Sequence, residues 1–141
     1  MTYKRLLNRR SVILGASAGL LSTPSLVRAQ AETQSVALIM VGASWCPVCK
    51  QAAPMLAVFA ERYGVPVMVV SHDDKPIAPF ETYVPANQHP IAGAIERFPT
   101  TLIYSNYVDE LVVSIEGYRN PRWYLGQLRN GTAQAEALSF G

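Results

Sequence analysis

The chain contains two cysteines, Cys46 and Cys49, within the sequence Trp-Cys-Pro-Val-Cys-Lys at residues 45–50. Two thiols at this spacing can form a disulfide, exchange it with another dithiol, or ligate a soft metal ion. An apolar run of strand length precedes the pair, and a helical pattern follows it. We therefore expect Cys46 at the N-terminus of a helix, where unpaired amides and the helix dipole favour thiolate over thiol.

The two sulfurs are expected to have different roles. Cys49 lies one helical turn beyond Cys46 on the same face and should be the more buried of the two. Pro47 lacks an amide hydrogen, which suits the first turn of a helix. Cys46 would attack a substrate sulfur, and Cys49 would resolve the mixed disulfide. The reaction needs no added cofactor, since the electrons reside in the two sulfurs.

Metal binding is the alternative from another class of function. With His72 or His89, the two thiolates could hold zinc or copper(I). Neither histidine has a fixed spacing to the cysteines, so we interpret His72 as a solvated loop residue and His89 as a helix-entry residue, and we expect no metal ligand. A structural disulfide is a third interpretation. Two cysteines exclude a four-cysteine zinc site and a multi-disulfide scaffold.

Hydrophobic runs indicate the elements that position the cysteines. The runs at residues 35–42 and 65–70 are continuous, which is typical of parallel strands covered on both faces. A helical pattern separates them and ends at Gly64, where a left-handed cap would fall. This strand-helix-strand unit should be right-handed. Residues 101–104 and 111–115 flank five residues, which is the pattern of a hairpin. The helical pattern consists of Ala52, Leu56, Phe59 and Tyr63.

The C-terminal part of the chain predicts a last helix. Asn120 and Pro121 form an N-cap followed by proline at the first helical position, and Gly131 is the expected stop. Residues 132–141 are expected to be a loose tail. Upstream, four prolines forbid a regular helix across most of residues 71–90, whereas residues 91–98 predict one short helix. The long connection should leave the sheet at the edge that carries Cys46, as a wall or lid of the site.

Length and charge exclude several classes of protein. The 141 residues suffice for one domain, and 50% hydrophobic with 16% charged residues exclude a disordered tail. Five basic residues and no acidic residue precede Gln30, while the rest has seven basic and ten acidic residues, a net charge of −3. The main body therefore offers no basic surface for nucleic acid.

The first 29 residues are typical of a signal peptide. A basic stretch is followed by an apolar run at residues 12–21 that is too short to span a bilayer. Small residues place the cleavage near residue 29 or 31. Arg9 and Arg10, followed by a modestly hydrophobic run, resemble a twin-arginine export signal. We expect an exported, periplasmic protein without a stable membrane anchor, with its domain at residues 35–131.

The body of the chain resembles the thioredoxin-like superfamily over roughly residues 36–130. The resemblance rests on the Trp-Cys-x-x-Cys-Lys motif, Pro54, the sequence Phe-Pro-Thr at residues 98–100, and Gly117 after the hairpin. It implies an α/β fold of the minimal thioredoxin-like kind, β-α-β-α-β-β-α, with a four-stranded mixed sheet and helices on both faces.

The resemblance also implies where substrate binds. In the family, the proline that matches Pro99 follows a cis peptide bond and faces the disulfide, beside an extended substrate chain. The implied contacts are Trp45, Pro47, Phe98, Pro99 and Thr100. Met40 departs from the family pattern, because thioredoxins keep a buried Asp at this position, six residues before the first cysteine, that assists proton transfer.

Trp-Cys-Pro-x-Cys resembles the site of periplasmic cytochrome c maturation thioredoxins and related exported reductases. We therefore expect a monomeric thiol-disulfide oxidoreductase that reduces disulfides in protein substrates and is recharged by a membrane electron carrier. The absence of His between the cysteines removes a stabiliser of the thiolate that strongly oxidising enzymes use. A disulfide-donating oxidase acting on protein dithiols is the alternative direction of the same exchange.

Overall fold

The computed structural model describes residues 35–140. Five strands and two α-helices make up this part of the chain. The strands are β1 (Val36–Gly42), β2 (Val67–Ser71), β3 (Val84–Pro85), β4 (Thr100–Ser105) and β5 (Glu110–Glu116). The α-helices are α1 (Pro47–Tyr63) and α2 (Pro121–Ala137), and short 3₁₀ turns cover Ala86–Gln88, Ala92–Ala94 and Leu138–Phe140.

The strands form one mixed sheet in the order β3-β2-β1-β4-β5. Strand β1 is central and pairs in parallel with β2, as the β-α-β prediction requires. It pairs antiparallel with β4, where Val41 lies opposite Thr100 and Met40 opposite Thr101. Strands β4 and β5 form the predicted hairpin. The carboxyl ends of β1 and β2 and the amino end of β4 therefore meet at one edge of the sheet.

The two faces of the sheet are covered differently. Both α-helices pack on one face, where Leu38 and Met40 belong to the larger apolar cluster. On the other face, Ile39 and Val41 pack with residues of the chain segment that carries the 3₁₀ turns. The thioredoxin-like fold class is confirmed, but the sheet has five strands rather than four. The short helix expected within residues 91–98 is only a 3₁₀ turn, so 3₁₀ turns cover the face where an α-helix was expected.

Helix α1 has the ends that its sequence predicts. Cys46 is the N-cap with Pro47 at the first helical position, and Gly64 ends the helix with a φ of 65°. Of the four predicted apolar positions, three are buried, but Tyr63 is exposed. Its ring lies 4.7 Å from that of Phe59 at the edge of the core. The helix therefore presents its apolar face, including Cys49, to the sheet.

Helix α2 begins as predicted, since the Asn120 side chain accepts a hydrogen bond of 2.8 Å from the Trp123 amide. The expected stop at Gly131 and the expected loose tail are wrong, because the helix continues to Ala137 and buries Ala135. A β-carbon on Gly131 would lie 2.2 Å from Cδ1 of Ile103. The glycine thus permits close packing of the helix on β4 instead of ending the helix.

The predicted signal peptide lies outside the described residues. Within residues 35–140, no helix combines the length and the apolar character needed to cross a bilayer.

Candidate active site

Cys46 stands between β1 and α1, at the edge of the sheet where β1 ends. Its Sγ accepts a hydrogen bond of 3.1 Å from the backbone amide of Cys49. This amide belongs to the first turn of the helix, where backbone donors have no partner within the helix. The N-cap placement of Cys46 is the one that the sequence predicts.

Cys49 is the more buried cysteine, with 0% exposure against 5% for Cys46. Burial, followed by its side-chain hydrogen bond with Cys46, raises the pKa of Cys49 to about 12. Neither cysteine is in a disulfide in this structure. The pair therefore consists of an outer sulfur at a helix terminus and an inner sulfur that stays protonated at neutral pH.

Aromatic side chains flank the pair. Trp45 is 64% exposed, and its ring meets the half-buried ring of Phe98 edge-on at 6.1 Å. His72 also packs against Phe98, with their ring centres 4.6 Å apart. Phe98 thus brings the segment before β4 to the cysteine motif and forms an apolar surface beside it.

The structure places the remaining predicted contact residues around this surface. Pro47 is exposed on the first turn of α1. The peptide bond between Phe98 and Pro99 is cis, and Pro99 is buried. The side chain of Thr100 is also buried, and its hydroxyl donates to the Arg97 carbonyl at 2.6 Å. A substrate can therefore touch Trp45, Pro47 and Phe98 through their side chains.

The long connection of residues 71–90, called here the proline-rich connection, forms one wall beside the cysteines. A groove separates the start of α1 from this connection, and it is lined by Ser44, Lys50, Pro54 and the chain from Pro76 to Pro79. Ile77 is buried in the same apolar cluster as both cysteines. The connection is thus packed into the site at Ile77.

A hydrogen-bonded cluster joins the connection to the cysteine motif. The Asp73 carboxylate accepts from the Ser44 amide at 3.0 Å, from the Ser44 hydroxyl, and from the Ser71 hydroxyl at 2.9 Å. Partial burial acts to raise the pKa of Asp73, but these hydrogen bonds outweigh it and lower the pKa from its usual range. The ionised carboxylate therefore holds the residue two positions before Cys46 to the end of β2.

Both histidines contact the backbone of Ala92 and do not lie in a group of metal-ligating side chains. Nε2 of His72 lies 3.4 Å from the Ala92 carbonyl, and Nδ1 of His89 accepts from the Ala92 amide at 3.0 Å. Within residues 35–140, no three His, Cys, Asp or Glu side chains are grouped so that they could hold a metal ion. The arrangement offers two thiols and an adjoining apolar surface, which suits exchange with a disulfide in a protein chain.

Three residues of the site were not found from the sequence. They are Asp73, Gly42 and Tyr124, to which the sequence analysis assigned no role. The position of Asp73 just after a buried strand is a weak signal in the sequence that its carboxylate belongs to the site. No local pattern marks Gly42 or Tyr124, whose contacts depend on the packing of helices against the sheet.

Residues 24–118 match the model of a family described as TraF, F plasmid transfer operon protein. The chain belongs to the TraF family. Among curated proteins, none matches the sequence. The family match includes both cysteines, the proline-rich connection and the Phe-Pro-Thr segment, and it ends before α2.

Solved structures share the fold of this TraF-family chain. One is described as thiol:disulfide interchange protein DsbE from Chlorobium tepidum, with a TM-score of 0.57, 22% identity, and coverage of 76% of this chain and 84% of that chain. Another is the reduced thioredoxin pre-protein of Schistosoma mansoni, with a TM-score of 0.51, 17% identity, and coverage of 77% and 90%. The predicted thioredoxin-like fold is confirmed, and it carries the CxxC motif of Cys46 and Cys49.

Proposed function

We propose that the protein is a periplasmic thiol-disulfide oxidoreductase that reduces disulfides in protein substrates. The observation that carries this proposal is the asymmetry of the cysteine pair. Cys46 accepts a hydrogen bond at the helix N-terminus, whereas Cys49 is fully buried with a raised pKa. An outer nucleophile with a more deeply buried resolving thiol is the arrangement that exchange through a mixed disulfide requires.

The exchange proceeds in two displacements. The Cys46 thiolate attacks one sulfur of a substrate disulfide, the substrate S–S bond breaks, and the departing substrate thiolate takes up a proton. Cys49 then loses its proton, its Sγ attacks Sγ of Cys46, and the second substrate thiol leaves. The substrate gains two electrons and two protons, and the protein is left with a Cys46–Cys49 disulfide.

The disulfide form must be reduced before another turnover. An exported protein can receive two electrons from a dithiol on a membrane electron carrier, which is the partner we propose. No further cofactor takes part, because both electrons pass between sulfur atoms. Substrate chain would lie across Trp45, Pro47, Phe98, Pro99 and Thr100, with Trp45 and Phe98 giving the apolar contacts. This small set of contact residues suits a transient encounter between the monomeric protein and its substrate.

The direction of electron flow distinguishes this proposal from a disulfide-donating oxidase. The sequence Pro-Val between the cysteines has no histidine to stabilise the Cys46 thiolate further. Extra stabilisation of the reduced form is what makes an enzyme strongly oxidising. We therefore expect a reduction potential below about −200 mV, close to that of thioredoxins and glutaredoxins. A value near about −120 mV, that of a strong oxidant, would instead support the oxidase.

Trapping of the mixed disulfide tests the exchange itself. Cys49→Ala should form a stable covalent adduct with an oxidised protein substrate such as insulin, and Cys46→Ala should form none. Non-reducing gel electrophoresis and mass spectrometry detect the adduct. Adduct formation by Cys46→Ala, or by neither variant, would contradict the assigned roles.

A further inference from the structure

A polar pocket lies next to the aromatic residues that flank the cysteine motif. Its volume of about 410 Å³ is within the range that is typical of ligand sites, about 300–1,000 Å³. Residues after β2 and on the two 3₁₀ turns that follow line it, among them His72, Asp74, Asn87 and Gly93. The two turns pack closely, because a β-carbon on Gly93 would stand 2.5 Å from the Ala86 carbonyl oxygen. The pocket is therefore formed by the proline-rich connection and the turn that follows it.

His72 connects this pocket to the cysteine motif. Its ring lies 4.6 Å from that of Phe98, whose ring in turn meets that of Trp45 at 6.1 Å. Its backbone amide donates to the Gly42 carbonyl at 2.9 Å, which holds His72 beside the end of β1. An extended chain advances about 3.3 Å per residue. A polypeptide that reacts at Cys46 can therefore place a side chain in the pocket within a few residues of the attacked cysteine.

Asp74 supplies the negative charge of the pocket. Its backbone carbonyl accepts a hydrogen bond of 2.9 Å from the Tyr83 hydroxyl, which holds this part of the connection in place. Within residues 35–140, no lysine or arginine forms an ion pair with its carboxylate. The carboxylate of Asp73 differs, because it already accepts from the backbone amide and the hydroxyl of Ser44. Of the two adjacent carboxylates, that of Asp74 is the one available to a charged ligand.

A cationic side chain fits these groups better than an anion or a metal ion. Carboxylate oxygens accept hydrogen bonds, the Asn87 amide can present its oxygen as a second acceptor, and lysine and arginine carry only donors. An anion would be repelled by Asp74. A metal ion would lack ligands, because in the part of the chain that the structure describes no three His, Cys, Asp or Glu side chains are grouped for one. Nε2 of His72 is also engaged, since it lies 3.4 Å from the Ala92 carbonyl.

We propose that this pocket binds a lysine or arginine side chain of the protein substrate, with Asp74 as the residue that determines this specificity. The inference rests on the proposed function and names the substrate class of the same site, a polypeptide with a basic residue a few positions from the attacked cysteine. The cationic group pairs with the Asp74 carboxylate and donates a second hydrogen bond to the Asn87 side-chain oxygen. The exchange between the sulfurs proceeds as described above, since the pocket only binds the substrate.

Peptides that differ in one residue test this preference. Each carries a single cysteine in a mixed disulfide with 2-nitro-5-thiobenzoate, and the reduced full-length protein displaces this coloured thiolate when Cys46 attacks the peptide sulfur. Lysine is placed in turn at each position on both sides of the cysteine, with alanine and glutamate in the matched peptides. At the best position, kcat/KM for the lysine peptide should exceed that for the alanine peptide about fivefold, the scale of an exposed ion pair. The ratio should fall towards one at about 0.5 M salt, which screens exposed charges.

Matched variants assign the preference to the pocket. In Asp74→Asn, where asparagine tolerates the backbone φ of 56°, the lysine-to-alanine ratio should fall to about one. Asn87→Lys places a cation of the protein itself beside Asp74 and should have the same effect, so it decides if Asp74→Asn does not fold. Glu81→Gln removes a carboxylate of the same connection that does not line the pocket, and it should keep the wild-type ratio.

The outcomes separate this inference from the proposed function. A wild-type protein without a preference for the lysine peptide, or a preference that Asp74→Asn retains, would overturn the inference and leave the exchange reaction standing. A wild-type protein that releases no coloured thiolate from any of the peptides would overturn the proposed function and this inference with it.

Discussion

Gly42 lies so close to Cys49 that a β-carbon at position 42 would stand 2.8 Å from Sγ of Cys49. It would also stand 3.3 Å from Cδ1 of Ile77, on the proline-rich connection. The inner sulfur is therefore packed against the end of β1, next to the connection. The absence of a side chain at position 42 is a packing requirement of Cys49.

Gly42→Ala should displace Cys49 and destabilise the protein. Overpacking of a full core costs about 1–3 kcal/mol, and we expect a loss of that size in the free energy of unfolding. Urea denaturation of the reduced protein measures it. Gly126→Ala is the matched control, because no atom lies within 4 Å of the added carbon and the residue is inside α2. It should raise stability by about 0.5–1 kcal/mol. Equal losses in both variants would contradict the packing requirement.

Asp73→Asn should loosen the segment before Cys46, because the amide replaces one of two accepting oxygens with a donor. The pKa of Asp73 is lowered in the folded state, so its stabilising contribution is fully present above the unfolded value of about 3.9 and is lost as pH falls through the folded value. The difference between wild type and variant in urea midpoint should be large at pH 7 and shrink at pH 3.

Asp74→Asn is the control for this experiment. Asp74 has a φ of 56°, a conformation that Asn tolerates well, so the variant tests the charge of a neighbouring carboxylate without backbone strain. Its urea midpoint should match that of the wild type at pH 7. A difference for Asp73→Asn that does not depend on pH would show that the ionised carboxylate is not the source of the stability.

Trp45→Ala should reduce kcat/KM for reduction of insulin by about fivefold or more, because truncation of an exposed aromatic anchor removes contact area with a protein substrate. The rate with 5,5′-dithiobis(2-nitrobenzoate) should change little, since that compound is too small to need the surface. Tyr107→Ala is the control, an equally exposed aromatic at 61% in the β4–β5 connection at the opposite end of the sheet. A loss with both substrates would assign Trp45 to the chemistry of Cys46 instead.

Export with cleavage is expected from the first 29 residues. Mass spectrometry of the periplasmic fraction should show a chain that begins near Gln30 or Glu32. Arg9→Lys combined with Arg10→Lys should abolish export through the twin-arginine route, while Arg5→Lys should not. An intact Met1 in the soluble fraction would contradict the prediction, and export of the double variant would indicate the general secretory route.

Local sequence determined the elements that carry the cysteines. Each of these features depends only on residues close to it in the chain. They are the apolar run of β1, the N-cap position of Cys46 before Pro47, and the left-handed cap at Gly64. The same holds for Asn120 at the start of α2. Periodicity and capping are properties of short segments, so the placement of Cys46 at a helix N-terminus was predictable.

Gly131 shows where the same reasoning failed. Glycine near the end of an apolar helical pattern predicts a stop, because it lacks the side chain that stabilises a helix. In the fold, α2 continues because its close approach to Ile103 on β4 offsets the poor helix propensity of this residue. Tertiary packing outweighs a local preference of about 1 kcal/mol.

Contacts between residues far apart in sequence were decided by the tertiary structure. Asp73 reaches Ser44 across 29 positions, and Tyr124 reaches Thr101 across 23. These pairs depend on strand order, on the β1–β4 register and on which turn of α2 meets the sheet. Each is a relation between elements, and no periodicity within one element specifies it. The sequence by itself therefore determined where Cys46 and Cys49 lie on α1, whereas the residues packed around Cys49 follow from how the helices and the proline-rich connection pack on the sheet.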